Sequence, residues 1–298
     1  MTVKKVAILS PGDMGSNCGR AFAKAGFRIA TCLAGRSERT RELAELAGFE
    51  VMPSLEAVVA EADLILSILP PAMALEQAAV VADAMIAAGS TPPYADCNAI
   101  SPKTAVAVGE EIARAGAPYI DAGIIGRAPY KTKAATRFYV SGPDTSALEA
   151  LDGAGISVRN LGTEVGRASA IKMAYAAITK GRWTLQAAAL LTAQRWNLTE
   201  PYLAEVEESQ PATFADMNRM VPRLPLDAGR WIGEMQEIAA TFEQAGVSPG
   251  FHQGATEIME LLAETSIAEE TRETVDESRT LEEALEIIGA TLRAKATE

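Results

Sequence analysis

The chain of 298 residues is 48% hydrophobic and 22% charged, which is typical of a globular protein long enough for two packed domains. Its 39 acidic and 27 basic side chains give a net charge of −12, which argues against a nucleic acid or an anionic membrane as the main partner but leaves small anionic ligands open. One histidine and three cysteines without metal-ligand spacing predict no metal site, no Ser-His-Asp chemistry and reduced thiols.

The apolar segments of the sequence are short. We find no run that approaches the ~20 residues of a membrane span, and the N-terminus enters a predicted strand at once. We therefore expect no membrane span and no signal peptide. With its reduced thiols, the chain is expected to be cytoplasmic.

The first predicted strand, residues 3–9, leads into the turn S-P-G-D-M-G and an alanine-rich helix. Strand, glycine turn and helix form the context of a dinucleotide-binding motif, although Ser10 replaces its first glycine. Gly12 would let the backbone approach a pyrophosphate, and Gly15 would permit close helix packing. A plain strand–helix turn is the alternative. The expected cofactor contacts here are Ser10, Gly12, Asp13, Met14 and Gly15.

The second predicted strand, residues 28–33, ends without the acidic residue that holds the ribose 2′-hydroxyl in NAD-selective sites. Arg36, Ser37 and Arg39 follow it instead. A guanidinium and a hydroxyl can bind a 2′-phosphate through charge-assisted hydrogen bonds. We therefore expect NADP as the preferred cofactor, with NAD possible. Ser37 or Thr40 could equally cap a helix, which is compatible with this role.

Further strands over residues 62–69, 94–99, 117–125 and 136–142 alternate with helices, which predicts an α/β fold with a doubly wound Rossmann-type parallel sheet. Ligands of such sheets bind at the carboxyl ends of the strands. Leu69 and Pro70 lie at the end of one strand and are expected to contact the cofactor. Asn98 lies at the end of the next strand and would bond the nicotinamide or the substrate; a strand-end turn residue is the alternative.

The rest of the chain is predicted to be helical. We place an NAD(P)-binding domain at residues 1–162 and an all-helical substrate and dimerisation domain at residues 163–298. Residues 165–196 could form one long helix with Gly181 as a soft point. A proline-rich loop is expected at residues 221–226, and a capping box at Thr280 and Glu283 opens the last helix.

One lysine, Lys172, lies in the otherwise small and apolar start of this helix. Helical spacing places Ser169, Lys172, Tyr175 and Thr179 on one face. A cation in such surroundings is either a surface lysine reaching solvent or a buried lysine with a chemical role.

Four collinear blocks resemble the β-hydroxyacid dehydrogenases, the group related to 6-phosphogluconate dehydrogenase and 3-hydroxyisobutyrate dehydrogenase. Residues 10–15 resemble the family's G-x-G-x-M-G turn, and residues 96–102 its D-x-S-T-I-S-P block. Residues 121–126 stand where the family has D-A-P-V-S-G. Residues 166–181 resemble its lysine helix, with Lys172 as the lysine.

The resemblance implies reversible hydride transfer between NADP and a small hydroxy acid or sugar-acid-like substrate. Lys172 would act as acid and base on the substrate hydroxyl, and the substrate would be an anion. The resemblance also implies a homodimer formed through the helical domain.

The chain departs from the family around the substrate. Ile125 replaces a serine that helps hold the substrate carboxylate, and Tyr175 replaces an asparagine. Thr179 stands where decarboxylating members have an acid, which argues against a sugar-phosphate decarboxylase. The expected substrate contacts are Asn98, Ile125, Gly126, Tyr175 and Arg230, the last as a carboxylate clamp with Arg127 as the alternative.

Two other functions fit the same sequence. One is reduction of an imine on the same scaffold, and the other is binding of NADP without catalysis. His252 follows a Pro-Gly turn and is expected to have a capping or core role.

Overall fold

The computed structural model describes residues 2–130 and 136–295. It divides into two compact units, Met1–Tyr175 and Ala176–Glu298. The sequence predicts a domain boundary after residue 162. The first unit therefore includes residues 163–175, among them Lys172.

The first unit is built on one eight-stranded sheet with the order β3-β2-β1-β4-β5-β6-β7-β8. All neighbouring strands are parallel except β6 and β7, which are antiparallel. The predicted doubly wound α/β fold is confirmed. The strands are β1 Lys5–Leu9, β2 Arg28–Cys32, β3 Glu50–Met52, β4 Leu64–Ser67, β5 Tyr94–Asp96, β6 Tyr119–Ile125, β7 Thr136–Ser141 and β8 Ile156–Asn160.

Helices cover both faces of this sheet. β1, β4 and β6 are buried along their whole length, which explains their continuous apolar sequence. Phe22 and Phe138 belong to the core on one face, and Met85 and Tyr94 to the core on the other. The helices of this unit are α1 Asp13–Lys24, α2 Glu38–Leu46, α3 Leu55–Glu61, α4 Ala74–Ala88, α5 Pro102–Ala113, α6 Ser146–Glu149 and α7 Arg167–Ala176, whose last residue lies beyond the division.

The helical stretch Pro71–Ala88 has the length and composition of a membrane span, with a mean hydropathy of 1.3, contrary to the sequence-based expectation. It is 44% buried inside the protein. Ala78, Val81 and Met85 are fully buried in the core of the first unit. This pattern is that of a helix that covers a sheet with one face.

The second unit is helical, as predicted. The expected single helix at residues 165–196 is interrupted by a π-helical turn, Ala177–Gly181, so the predicted soft point falls at the end of that turn. The helices that follow are α8 Arg182–Arg195, α9 Thr199–Ser209, α10 Pro211–Met220, α11 Leu224–Gln244, α12 Gly250–Ala263 and α13 Leu281–Lys295.

Two local predictions for this unit have opposite outcomes. The capping box is confirmed, because Thr280 N–H donates to Glu283 Oε2 (2.8 Å) and Glu283 N–H donates to Thr280 Oγ1 (3.2 Å). The proline-rich loop is wrong: Val221–Arg223 is a 3₁₀ turn that leads directly into α11. Its prolines occupy first-turn positions, where their missing N–H costs no helical hydrogen bond.

Candidate active site

The glycine turn after β1 leaves the start of α1 open to a ligand. Ser10 has a φ of 56°, the left-handed conformation in which the dinucleotide motif uses glycine. Gly12 is the N-cap of α1 and provides no side-chain capping bond, and a Cβ added there would meet nothing within 4 Å. A Cβ at Gly15 would lie 3.2 Å from Ile8, so the helix packs closely on the strand. The α1 N–H groups can therefore receive a phosphate.

Basic side chains surround the end of β2. Arg36 donates to Gln77 Oε1 at 2.8 Å, which ties its guanidinium to α4. Arg39 forms an exposed ion pair with Asp13 at 3.3 Å, next to the glycine turn. Ser37 caps α2 by accepting the Thr40 N–H at 3.3 Å. Positive charge at this strand end suits a 2′-phosphate.

Asn98 joins the ends of β4 and β5. Its amide nitrogen donates to Ser67 Oγ at 3.1 Å and Asp96 Oδ2 at 2.8 Å, while its carbonyl oxygen accepts the Leu69 N–H. These bonds fix the turn that contains Leu69 and Pro70 at the carboxyl edge of the sheet. The side chain is 2% exposed, and its contact with cofactor or substrate stays a prediction.

The side chains of Tyr94, Cys97 and Tyr119, near Asp96, are buried. Burial raises the pKa of the Tyr94 and Tyr119 phenols well above its usual range, and the Asp96 carboxylate raises both further. Burial, followed by the charge of Asp96, raises the pKa of the Cys97 thiol in the same way. These groups remain neutral at physiological pH and act as packing.

A buried carboxylate fixes the beginning of α7. Asp121 Oδ2 accepts the backbone N–H groups of Gly166 (2.9 Å), Ala168 (3.1 Å) and Ser169 (3.1 Å). It also accepts the Ser141 hydroxyl at 3.0 Å, and its Oδ1 accepts the Ser169 hydroxyl at 2.6 Å. A negative charge at a helix N-terminus is stabilising, and here it anchors the helix to β6.

Two residues further along β6, Gly123 lies against Lys172. A Cβ added to Gly123 would lie 2.6 Å from Ala168 O and 2.8 Å from Lys172 Cβ. The helix can approach this closely because residue 123 has no side chain. Lys172 is therefore held at the carboxyl half of the strand and is partly buried.

The predicted substrate residues of the first unit lie beyond this contact. Ile125 is the last residue of β6 and is 3% exposed, and Gly126 follows with a φ of 117°. Tyr175 lies on the last turn of α7 and is exposed.

Arg230 lies in the second unit. It pairs with Asp227 at 2.8 Å, and Arg272 pairs with the same carboxylate. In the same unit, the π-turn residue Lys180 forms a partly buried ion pair with Glu234. These cations are engaged with protein carboxylates in the structure.

His252 is buried between Phe242 and Phe251, with ring centroids at 4.6 Å and 5.0 Å. Burial lowers the pKa of its imidazole. The predicted core role is confirmed.

Sequence reasoning did not assign roles to Asp121, Gly123 or Ser141. A glycine inside a buried apolar strand signals a close backbone approach, and that signal was present at Gly123. The role of Asp121 had no local signal, because its partners lie about 45 residues downstream.

Two family models match the chain. The NAD-binding domain of 6-phosphogluconate dehydrogenase matches residues 5–152, and a domain of unknown function, DUF1932, matches residues 193–262. The chain has a 6-phosphogluconate dehydrogenase-like NAD-binding domain. The glycine turn, the Asn98 turn and β6 all lie within that match.

Solved structures share the fold. A conserved protein of unknown function, described as structurally similar to 3-hydroxyacid dehydrogenases, is 26% identical with a TM-score of 0.63, covering 87% of this chain and 96% of its own. The 3-hydroxyisobutyrate dehydrogenase of Mycobacterium tuberculosis with L-serine is 17% identical with a TM-score of 0.66, covering 98% and 99%. An imine reductase from Myxococcus stipitatus with NADP⁺ is 19% identical with a TM-score of 0.53, covering 86% and 93%. The chain therefore shares the fold of these structures, and the family model adds an NAD-binding domain.

Proposed function

We propose that the protein is an NADP-dependent dehydrogenase. It would reversibly oxidise the hydroxyl group of a small anionic hydroxy acid, with Lys172 as the acid and base. The observation that carries the proposal is the contact of Lys172 with Gly123 at the carboxyl half of β6, on a helix anchored by Asp121. Ligands of a doubly wound sheet bind outside this edge.

The residues at this edge fit the dinucleotide. The uncapped start of α1 and the open space above Gly12 suit the pyrophosphate. Arg36 and Ser37 would hold a 2′-phosphate, and no acidic residue lies between Cys32 and Ser37 to favour NAD. Leu69, Pro70 and Asn98 would border the nicotinamide. When bound, NADP supplies the hydride chemistry.

The chain supplies proton transfer and position. Lys172 Nζ would take the proton of the substrate hydroxyl during oxidation and return it during reduction. The Asp121 hydrogen bonds would keep the lysine helix at a fixed distance from the strand. Such positioning lowers the entropic cost of reaching the reactive geometry.

The test is a panel of hydroxy acids and sugar acids assayed with NADP and with NAD by nicotinamide absorbance. We expect turnover of at least one hydroxy acid, with NADP preferred. Lys172→Met should lower kcat by about 10²-fold or more and leave the Kd for NADP within about twofold. A kcat of Lys172→Met within about tenfold of the wild-type value would contradict the role of Lys172.

Reduction of an imine is the second candidate. It is favoured by Ile125, which places a buried apolar side chain where the resemblance expects a serine for the carboxylate. This function predicts NADPH turnover with cyclic imines and none with hydroxy acids. Binding of NADP without turnover of either class would indicate a non-catalytic protein.

We also propose a homodimer formed through the helical unit. Leu185 and Trp196 lie about three turns apart on one side of the α8 region and are exposed, at 55% and 73%. Exposed large apolar side chains on one face favour association. Light scattering should give a dimer for the wild type and a smaller species for Trp196→Glu; an unchanged dimer would exclude this face.

A cytoplasmic location is proposed as well, supported by three free cysteines. Localisation of a fluorescent fusion would test it. The absence of nucleic-acid and membrane partners stays a prediction from net charge.

A further inference from the structure

The β6–β7 pair presents a row of side chains to one face of the sheet. The register pairs Asp121 with Ser141 and Ile125 with Arg137. Directly opposed residues of antiparallel strands share a face, and every second residue returns to it. Asp121 and Gly123 show that α7 covers this face. Arg137 therefore belongs to the face that carries Lys172.

Arg137 lies at the exit of β6. Its Nη2 is 4.0 Å from the position that a Cβ of Gly126 would occupy. Lys172 lies at the Gly123 register, and Arg137 pairs with Ile125 two residues further along. Two residues of a strand span about 7 Å, so both flexible side chains can reach one small molecule.

The guanidinium of Arg137 has no ion pair or hydrogen bond among residues 2–130 and 136–295. The side chain is partly buried. A partly buried guanidinium loses hydration, so an anionic partner is favoured. The neighbouring Ile125 has no polar group that could serve such an anion.

We propose that Arg137 binds the carboxylate of the substrate while Lys172 meets its hydroxyl group. This inference rests on the proposed function and names its substrate class: a small acid whose hydroxyl and carboxylate are separated by a few bonds. A planar guanidinium can hold a carboxylate through two parallel hydrogen bonds. Arg137 thereby replaces, from β7, the contact that a serine at position 125 would make.

The sequence-based candidates have less support for this role. The Arg230 guanidinium is already paired with the Asp227 carboxylate. Arg127 is exposed in the loop after β6, where its carbonyl oxygen accepts the Thr136 hydroxyl at 2.7 Å. Arg127 remains the rival that the experiment must separate from Arg137.

The experiment compares Arg137→Met, Arg137→Lys and Arg127→Met with a matched control, Arg159→Met, an exposed arginine on the neighbouring strand β8 that stacks on Tyr139. Each variant is assayed with the best hydroxy acid and with the diol that lacks its carboxylate. Arg137→Met should raise KM for the acid about 30- to 100-fold and leave KM for the diol unchanged. Arg137→Lys should retain part of the affinity, because it keeps the charge and loses the fork.

The affinity for NADP, measured by fluorescence titration, should stay within about twofold in all variants. Equal KM values for the hydroxy acid in Arg137→Met and Arg159→Met would overturn the proposal. A raised KM for the acid in Arg127→Met, with an unchanged KM in Arg137→Met, would overturn it as well.

A binding measurement separates this inference from the proposed function. Calorimetry of the protein loaded with NADPH, which cannot oxidise a hydroxy acid, and titrated with 3-hydroxypropionate reports the anion site without turnover. Binding that Arg137→Met abolishes supports the site even if no hydroxy acid is turned over, in which case only the proposed function fails. No binding to the wild type, or equal binding to Arg137→Met, overturns the inference.

Discussion

The two ends of the first unit's strands use charged side chains differently. At the amino end, Lys5 is 4% exposed and forms ion pairs with Glu50 and Glu61, and Arg28 pairs with Glu50 as well. At the carboxyl end, the charge of Asp121 is directed at the backbone N–H groups of a helix. Charges at the amino end therefore join the strands and helix of the sheet to one another, whereas charges at the carboxyl end fix the position of a helix.

This difference predicts where ligands act. The amino end has its cations paired with carboxylates of the same unit, so substitutions there should change stability alone. The carboxyl end has an uncapped helix start and Arg137, which binds no described carboxylate. Substitutions there should change the handling of cofactor or substrate, whether or not they also change stability.

The largest effect is expected for Gly123→Ala. The new Cβ would clash with the backbone at Ala168 and with Lys172, so α7 must move. We expect turnover to fall about 100-fold and the free energy of unfolding to fall by about 2 kcal/mol. The measurements are kcat and urea unfolding.

Gly229→Ala is the matched control, because a Cβ there meets nothing within 4 Å. Turnover should be unchanged in this variant. If Gly123→Ala retains wild-type turnover, the close approach of α7 has no functional role.

Asp121→Asn should have the next largest effect. The amide cannot accept all the hydrogen bonds that the carboxylate accepts from Ser141 and the start of α7. We expect a loss of about 2 kcal/mol in unfolding free energy together with a lower kcat.

Asp63→Asn is its counterpart at the amino end, where Asp63 accepts the N–H groups of Lys4 and Lys5. It should lower stability and leave kcat unchanged. Loss of kcat in both variants to the same extent would remove the distinction between the two ends.

Arg36→Ala should weaken NADP binding about 10- to 30-fold and leave the Kd for NAD nearly unchanged, because the lost interaction is with the 2′-phosphate. Arg28→Ala, an arginine at the opposite end of the same strand, should affect neither cofactor. The measurement is the Kd for NADP and the Kd for NAD, each determined by titration of the wild type and of both variants. Equal weakening of both cofactors by Arg36→Ala would contradict a 2′-phosphate contact.

Much of the fold follows from the sequence, because alternating apolar strands and helices specify a doubly wound sheet. The glycine turn is also predicted from the sequence, because it lies in a continuous motif; the role of Lys172, which lies in another such motif, stays a prediction. The hydrogen bonds of Asp121 and the role that we propose for Arg137 were not predicted, for a physical reason. Both depend on the antiparallel register of β6 and β7 and on a helix that starts more than 40 residues after Asp121. A sequence pattern does not display such long-range register.

The φ of 56° at Ser10 was likewise invisible. The missing glycine suggested a weaker motif, yet the turn keeps the left-handed conformation with a serine. The surrounding turn, in which Gly12 N–H donates to Ser10 O at 2.7 Å, holds it there.

The smallest effect concerns the thiols. Burial raises the pKa of Cys18 to about 12 and that of Cys97, at the carboxyl end of β5, well above its usual range. At pH 8 a thiol-specific chromogenic reagent should therefore react rapidly with Cys32 alone, which is partly exposed, and with all three cysteines in urea. Rapid labelling of Cys97 in the folded protein would show that its surroundings are open to water.

The most direct measurement compares Lys5→Ala with Lys172→Met, reading urea unfolding and NADP-dependent turnover of the best hydroxy acid for both. Lys5→Ala should lose about 2 kcal/mol of stability and keep wild-type kcat per folded molecule. Lys172→Met should keep its stability within about 1 kcal/mol and lose about 10²-fold or more in kcat. Parallel losses of stability and turnover in both variants would contradict the claim that one end of the sheet maintains the fold and the other carries the chemistry.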